Sequence, residues 1–514
     1  MNNLTDLEYL RLNKFQKLLY NFCHFFTAIP HKIVSLFCRI GRFFKKIGIA
    51  VANFFKLIGS TFVHGDWKTK VSYFILGFGN LFRGQILRGL LFLIFEVGFI
   101  FYMIFIGAPN IAKLDTLGTV VTTETIVETY IPGIGYESHT KTVYGDNSFN
   151  ILLFGILSLF FIIAFIYTWY VNIKQNIIAE EILKTGKPLK SGKQDIQSLV
   201  DDQFHKSLLA LPTVGILIFT VLPTFFMILI AFTNYSGPNN MPPQGLFTWV
   251  GFQNFGTLLS WKGGGNNFSM TFGNVLLWTL VWAFFATFSN YFLGMLVALA
   301  INKKGIKGKK IFRGILVLTI AIPQFISLLY VSKMFSADGL INRTLLKLGW
   351  IAQRLPFFED PTWARITVII INIWIGIPYL MLMISGVLMN IPADLYESAK
   401  IDGASPWKQY TKITLPYTLF VTGPYLLTSF TGNMNNFNVI YLLTGGGPFS
   451  NADMASSKAG TTDLLVTWLF KLTIEQQSFQ LAAVIGILVF VVVSVISLVV
   501  YNVIPSVKNE EDFQ

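Results

Sequence analysis

Ser429, Asn433 and Asn436 stand at i, i+4 and i+7 in an otherwise apolar run, which at about 100° per residue sets them on one face of a helix. Hydroxyl and amide groups form hydrogen bonds and carry no charge. In hydrocarbon each costs of order one to a few kcal/mol unless paired, so the stripe belongs in a bundle interior, bonded to a neighbouring helix or lining a hydrophilic path. Gly376 and Pro378 interrupt another apolar run and free backbone carbonyls beside Tyr379, which offers a ring and a hydroxyl together. Glu96 lies within a third run, where an ionised carboxylate is expensive. It has no basic partner at matching depth, so a protonated or internally hydrogen-bonded structural role outweighs a proton relay. The sequence has no GxxxxGK[ST] phosphate loop, no HExxH and no supported Ser/His/Asp set, so no catalytic chemistry of its own is expected.

Groups of this kind need a scaffold in lipid, and the composition provides one. The 514 residues are 53% hydrophobic and 13% charged, with 50 Phe, far from the balance of a soluble protein. The expected class is an all-α polytopic membrane protein. Runs of about 20 apolar residues, enough to cross a bilayer, fall near 90–107, 149–173, 208–233, 274–302, 312–335, 366–389, 417–443 and 479–503, an expectation of eight transmembrane helices. Lys184, Lys187, Lys190 and Lys193 share one loop; Lys303, Lys304, Lys307, Lys309, Lys310 and Arg313 share another. Basic loops stay in the cytoplasm, and counting spans outward from them puts both termini inside as well. The net charge of +13 then reflects loops facing anionic membrane lipid, and no nucleic-acid partner is expected.

Residues 1–70 interleave Phe, Leu and Ile with lysines and arginines, a pattern for cytoplasmic amphipathic helices on the inner leaflet. Residues 71–207 hold two spans around an outer loop, 108–148, whose Thr/Val-rich stretch and Pro-Gly turn give a small extracellular β-hairpin or sheet. Residues 208–505 hold the other six spans, and 506–514 form a short cytoplasmic tail. Cys23 and Cys38 lack metal-ligand spacing and are expected to be reduced; no metal site is expected. The first twenty residues mix charges with single apolar residues, which does not make a signal peptide.

One polar segment stands apart, "YESAKIDGASPWKQYTKITLP" at 396–416, in a loop (390–417) that the span count places on the cytosolic side. Asp394 can cap a helix over 395–401, Asp402-Gly403 forces a turn, and 405–413 can form a second short helix before Leu415-Pro416 opens the next span. The run Glu397-Ser398-Ala399, then Asp402-Gly403 and Leu415-Pro416, resembles the EAA loop of ABC importer permeases. "FTNYS" (232–236), "IPQFIS" (322–327), "NIWIGIPY" (372–379), "NNFNVIYLLTGGGP" (435–448), "AGTTDLLV" (459–466) and "FQLAAVIGILVF" (479–490) narrow the resemblance to MalF-type permease subunits of maltose/maltodextrin importers. Eight spans suit that family too.

The resemblance implies a type I ABC importer permease core. Glu397, Ser398, Ala399, Asp402 and Gly403 would couple to a separate ATPase, Glu397 pairing with a basic group there and Gly403 allowing the bend. Gln324, Ile375, Gly376, Tyr379, Ser429, Gly432, Asn433 and Asn436 would contact the sugar. Gln324 replaces a serine of the family pattern and Gly432 a phenylalanine, which leaves the sugar's identity open. The implied partners are a second, MalG-like permease, two ATPase subunits and an extracellular sugar-binding lipoprotein. This chain would bind no cofactor, and ATP and Mg would be used by the ATPase. About forty residues follow "FTNYS" where the Gram-negative protein has a large extracellular domain, so the compact form resembles the Gram-positive plasma-membrane version. Substrates other than maltodextrin, such as raffinose-type oligosaccharides, remain the alternative within the family. An ion-coupled secondary transporter using Glu96, or a non-transporting anchor for an ATPase, are the rivals outside it.

Overall fold

Apolar runs without water have only their own backbone to satisfy N–H and C=O groups, and they fold as long helices. The computed structural model describes residues 41–503 apart from 43, 44, 47, 50, 51, 53, 57, 133, 134, 260–267, 304 and 451. Most of the expected N-terminal amphipathic region, both cysteines and the C-terminal tail lie outside the described residues. Among the described residues, six helices are long and apolar enough to cross a membrane: Ile86–Ala112, Ser148–Lys184, Phe204–Ile230, Phe268–Asn302, Pro361–Met389 and Phe479–Val499.

The runs at 312–335 and 417–443 are not simple spans. Lys309–Ala321 and Gln324–Lys347 meet at a bend of 93°, and taking that pair as one span brings the count to seven. The bend falls at Ile322-Pro323, where proline removes a backbone donor and holds Ile322 extended (φ −80, ψ 126). Residues 417–443 form Leu415–Met434 and Phe437–Thr444, which is not among the six. Among the described residues, six of the eight expected spans are thus present as long apolar helices, or seven with the bent pair taken as one.

By internal contacts the chain divides into two units, Met1–Pro109 with Leu157–Val214, and Asn110–Ile156 with Gly215–Gln514. In the first unit, residues 72–85 are largely irregular, and side chains take up their backbone groups. The Glu96 carboxylate accepts the Leu76 N–H at 2.8 Å, Asn172 accepts from Gly77 N–H at 3.0 Å and donates to the Ser72 carbonyl at 2.9 Å, and Trp169 donates to the Tyr73 carbonyl. Glu96 is thus internally hydrogen-bonded, the structural role expected of it. The Arg83 side chain, 1% exposed, pairs with Asp66 at 2.6 Å.

In the second unit Phe268–Asn302 packs along Pro361–Met389. Tyr291, Met295 and Ala298 bury against Leu380, Met381 and Ile384, while Trp278 and Trp282 join Leu328, Val368, Ile371 and Val439 farther along. The expected hairpin is present: Thr123–Ile131 pairs antiparallel with Gly135–Val143, in a register from Thr123 opposite Val143 to Ile131 opposite Gly135. Its base is clasped by Asp146, which accepts from the Lys113 ammonium at 2.5 Å and from the Thr119 and Val120 amides. Lys113 first, then those amides, hold the Asp146 carboxyl at about 2, below the usual 3.8. A carboxyl lowered in the fold stabilises fully above its unfolded value, and that contribution fades as pH falls through about 2. A carboxyl-carbon NMR titration should therefore find Asp146 titrating near 2, and Lys113→Met should move it upward.

After Thr444 the chain turns back through 445–464 onto the same two helices. Trp278 donates to the Thr462 carbonyl, Arg365 to the Thr461 carbonyl, and Leu465 N–H to the Thr279 hydroxyl. Asp463 and Lys471 form a buried ion pair at 2.6 Å, their side chains 0% and 7% exposed. The same carboxylate accepts from Gly460 N–H and the Thr467 hydroxyl.

Candidate functional site

Two places in the second unit collect the residues singled out from the sequence. The first is a cavity of about 560 Å³ where the 93° bend opens beside the helix Pro361–Met389. Gln324, Ile375 and Tyr379 line it, together with Ser327, Trp374 and Pro378. Tyr379 is 51% exposed, and its ring centroid lies 6.3 Å from that of Tyr425, one turn before Ser429 on the helix Leu415–Met434. The Tyr379 side of the cavity thus lies beside the helix that carries Ser429.

Other expected members stand elsewhere. Gly376 faces away, and a Cβ there would sit 2.3 Å from the Asn290 amide nitrogen, so its role is close helix approach. The helix runs through Pro378 without interruption, contrary to the expected break; the missing N–H costs it one backbone bond. The stripe is also corrected. The helix ends at Met434, and Asn436, at φ −77 and ψ 86, caps the next helix by accepting from Val439 N–H, so Ser429, Asn433 and Asn436 do not share one continuous face. Asparagine side chains compete for backbone groups, and paired asparagines at 435–436 favour a break with a cap over another helical turn.

Asn433 and Asn436 remain linked at 3.4 Å, and Asn433 also donates to Thr287 at 3.0 Å. Gly432 is exposed, and among the described residues nothing lies within 4 Å of where its Cβ would be.

The reading from sequence missed three groups here. Trp374 adds a second aromatic wall to the cavity. Asn290 and Asn372, 7% and 5% exposed, each keep one buried amide atom without a partner among the described residues. Lone asparagines in apolar helices were the available signal, and Asn372 precedes Gly376 by one turn.

The second place is the elbow. Ala393–Ile401 is helical; Pro392, not Asp394, is its N-cap, and Asp394 sits in the first turn, where a negative charge suits the helix dipole. Asp402 N–H donates to Ser398, Gly403 N–H to Lys400 and Ala404 N–H to Ala399, with Gly403 at φ +73, a left-handed helix stop. Ser405 caps Pro406–Gln409, which does not end before the next span as expected. It continues through the wide turn Tyr410–Thr414 into Leu415–Met434, the widened turn admitting Pro416 without ending the helix. Glu397, Ser398, Asp402 and Gly403 are exposed and Ala399 is half-buried. Ile401, at 87% exposed, projects beside them, and the Tyr396 hydroxyl pairs with that of Thr414 at 2.8 Å, tying the elbow to the helix it precedes.

Residues 290–509, which hold the elbow and most of the lining groups, match the family described as "Binding-protein-dependent transport system inner membrane component". The maltodextrin transport system permease protein MalC of Streptococcus pneumoniae is 32% identical over 448 residues, 85% of this chain and 95% of that protein. The galactooligosaccharides transport system permease protein GanP of Bacillus subtilis is 34% identical over 443 residues, 85% and 97% of the two chains. The maltose/maltodextrin permease protein MalF of Escherichia coli is 36% identical over 267 residues, 51% of this chain and 50% of its own. With a relative aligned along nearly its whole length and the transport domain matched over the elbow and cavity, the chain belongs to the permeases of binding-protein-dependent ABC transport systems.

Proposed function

We propose that this chain is the larger membrane-spanning subunit of an ATP-driven importer for maltodextrin-type oligosaccharides. One observation carries the reading furthest: an exposed, rigidly stopped helix at 393–401 is tied through Tyr396 and Thr414 to the same span that brings Ser429 and Tyr425 toward the Tyr379 cavity. A push on the elbow is thereby delivered to the helix whose polar residues face the sugar.

In this reading the bent pair and the broken stretch 415–444 each count as a span, for eight crossings with both termini inside. A second, MalG-like permease supplies a matching elbow, and two ATPase subunits seat on the pair and hydrolyse ATP with Mg, which this chain does not bind. An extracellular binding protein, a tethered lipoprotein in a Gram-positive plasma membrane, delivers the sugar. Closure of the ATPase pair rocks the two bundles apart on the outside, and hydrolysis reopens the inner mouth. Trp374 and Tyr379 stack on sugar faces, while Gln324, Ser429, Asn433 and Asn436 bind hydroxyls, with Ile375, Gly376 and Gly432 shaping the wall.

The test is ATP hydrolysis by the reconstituted complex with its binding protein, against maltotriose, longer maltodextrins, raffinose and galacto-oligosaccharides. Stimulation by the maltodextrins is expected; stimulation by galacto-oligosaccharides alone would move the substrate to that class, and uptake driven by a proton gradient without ATP would end the ABC reading. Open space at Gly432 adds a sharper expectation. Gly432→Phe should insert and fold normally, yet lower uptake of long maltodextrins more than that of maltose; equal uptake of both would remove Gly432 from the path.

A further inference from the structure

Beneath the elbow lies a cleft of about 700 Å³ that shares Tyr396, Glu397 and Thr414 with the coupling elbow and holds no residue assigned to the sugar. Its floor is apolar, from Leu296 and Leu299 on the helix Phe268–Asn302 and Leu388 at the end of Pro361–Met389. Its rim carries Lys303 and Lys400, both exposed, and a single acid, Glu397. From Leu296 to Lys303 the chain rises roughly 10 Å, so an apolar wall is topped by ammonium groups. Leu296 is 55% exposed, so the wall reaches the outer surface of the helix. Trp407, 71% exposed, borders the cleft on the elbow side, with the apolar body and polar edge favoured at a membrane interface.

Sugar does not suit an apolar floor, and a soluble anion would leave it bare. We propose that the cleft binds one anionic phospholipid of the inner leaflet, its acyl chain along Leu296, Leu299 and Leu388 and its phosphate between Lys303 and Lys400. Charge complementarity selects the occupant: two lysines against one carboxylate leave a net positive rim, and the loop next to it adds Lys307, Lys309 and Lys310. Since Lys400 and Glu397 belong to the elbow helix itself, a bound lipid ties that helix to the membrane beside the helix Phe268–Asn302 and sets its resting position. The placement in the inner leaflet rests on the cytosolic elbow proposed above.

The experiment uses the complete importer in vesicles of phosphatidylcholine with phosphatidylglycerol, the latter carrying a photoreactive group at the end of one acyl chain. Crosslinks are expected on peptides containing Leu296, Leu299 and Leu388. Lys303→Gln and Lys400→Gln should each lower them about fivefold, Glu397→Gln should raise them, and Lys184→Gln, the same charge change in another loop, should leave them unchanged. Excess inorganic phosphate should not compete. Absent cleft labelling, labelling indifferent to both lysines in protein that still binds its ATPase, or labelling that vanishes whenever the ATPase is seated would each overturn the lipid site. Sugar-stimulated ATP hydrolysis, measured on the same vesicles, separates the two readings: stimulation without cleft labelling sinks the lipid site alone, and cleft labelling without stimulation sinks the transport reading alone.

Discussion

Gly403→Pro should abolish sugar-stimulated ATP hydrolysis while leaving the chain inserted and paired with its partner permease. Gly403 sits at φ +73 and donates its N–H to Lys400 at 3.0 Å. Proline fixes φ near −65° and has no N–H, so both features are lost, at about 3 kcal/mol or more if the helix is broken. That exceeds the typical coupling free energy between sites, about 1–3 kcal/mol, so loss of stimulation by about tenfold or more follows even if the ATPase still binds. Gly403→Ala separates backbone strain from a lost hydrogen bond: it keeps the N–H and costs only about 1–2 kcal/mol for a left-handed Cβ, and among the described residues nothing lies within 4 Å to clash. A graded series, glycine above alanine above proline, is the expected result in the hydrolysis assay. Wild-type stimulation in the proline variant would show that the sharp stop is not part of the coupling path.

The second large effect is expected at Lys471 and Asp463. Their pair is almost wholly shielded from water, and removing one partner strands the other's charge, a cost of about 3–5 kcal/mol. Lys471→Met should therefore lower the thermal stability of the detergent-solubilised chain far more than a surface lysine change such as Lys184→Met. Asp463→Asn should also destabilise it. Because the carboxylate additionally accepts from Gly460 and Thr467, the double variant Asp463→Leu/Lys471→Met should regain only part of the loss. The return loop 445–464 is pinned to Phe268–Asn302 and Pro361–Met389 by Thr461, Thr462 and Leu465, so its loosening should be read first as raised proteolysis within that loop. Thermal stability unchanged by either single substitution would show that water reaches the pair.

Long apolar runs, the basic loops between them, the Thr/Val hairpin and the Glu397–Gly403 elbow are all legible in the amino-acid sequence, because each rests on local chemistry: hydropathy over a span, alternation along a strand, a glycine at a helix stop. The bend at Pro323 and the break at Asn435–Asn436 are not. Both occur in runs apolar enough to pass as continuous helices, and local backbone bonding decides whether a proline or an asparagine pair ends one. Sequence periodicity puts Ser429, Asn433 and Asn436 on one face, which holds only while the helix does.

By itself the sequence determined that this chain lives in a membrane, which residues are polar there, and that a hinged helix of the permease type lies between two spans. Tertiary structure alone decided which of those residues meet. Gln324, Ile375 and Tyr379 converge because a bent helix pair leaves space beside Pro361–Met389, whereas Gly376 turns to Asn290 because two helices approach too closely there for a side chain. Glu96 found its partner in the backbone of Leu76, twenty residues away, because an irregular segment had to bury its amides. Composition sets the cost of each polar group in lipid, and packing between distant segments settles which groups pair.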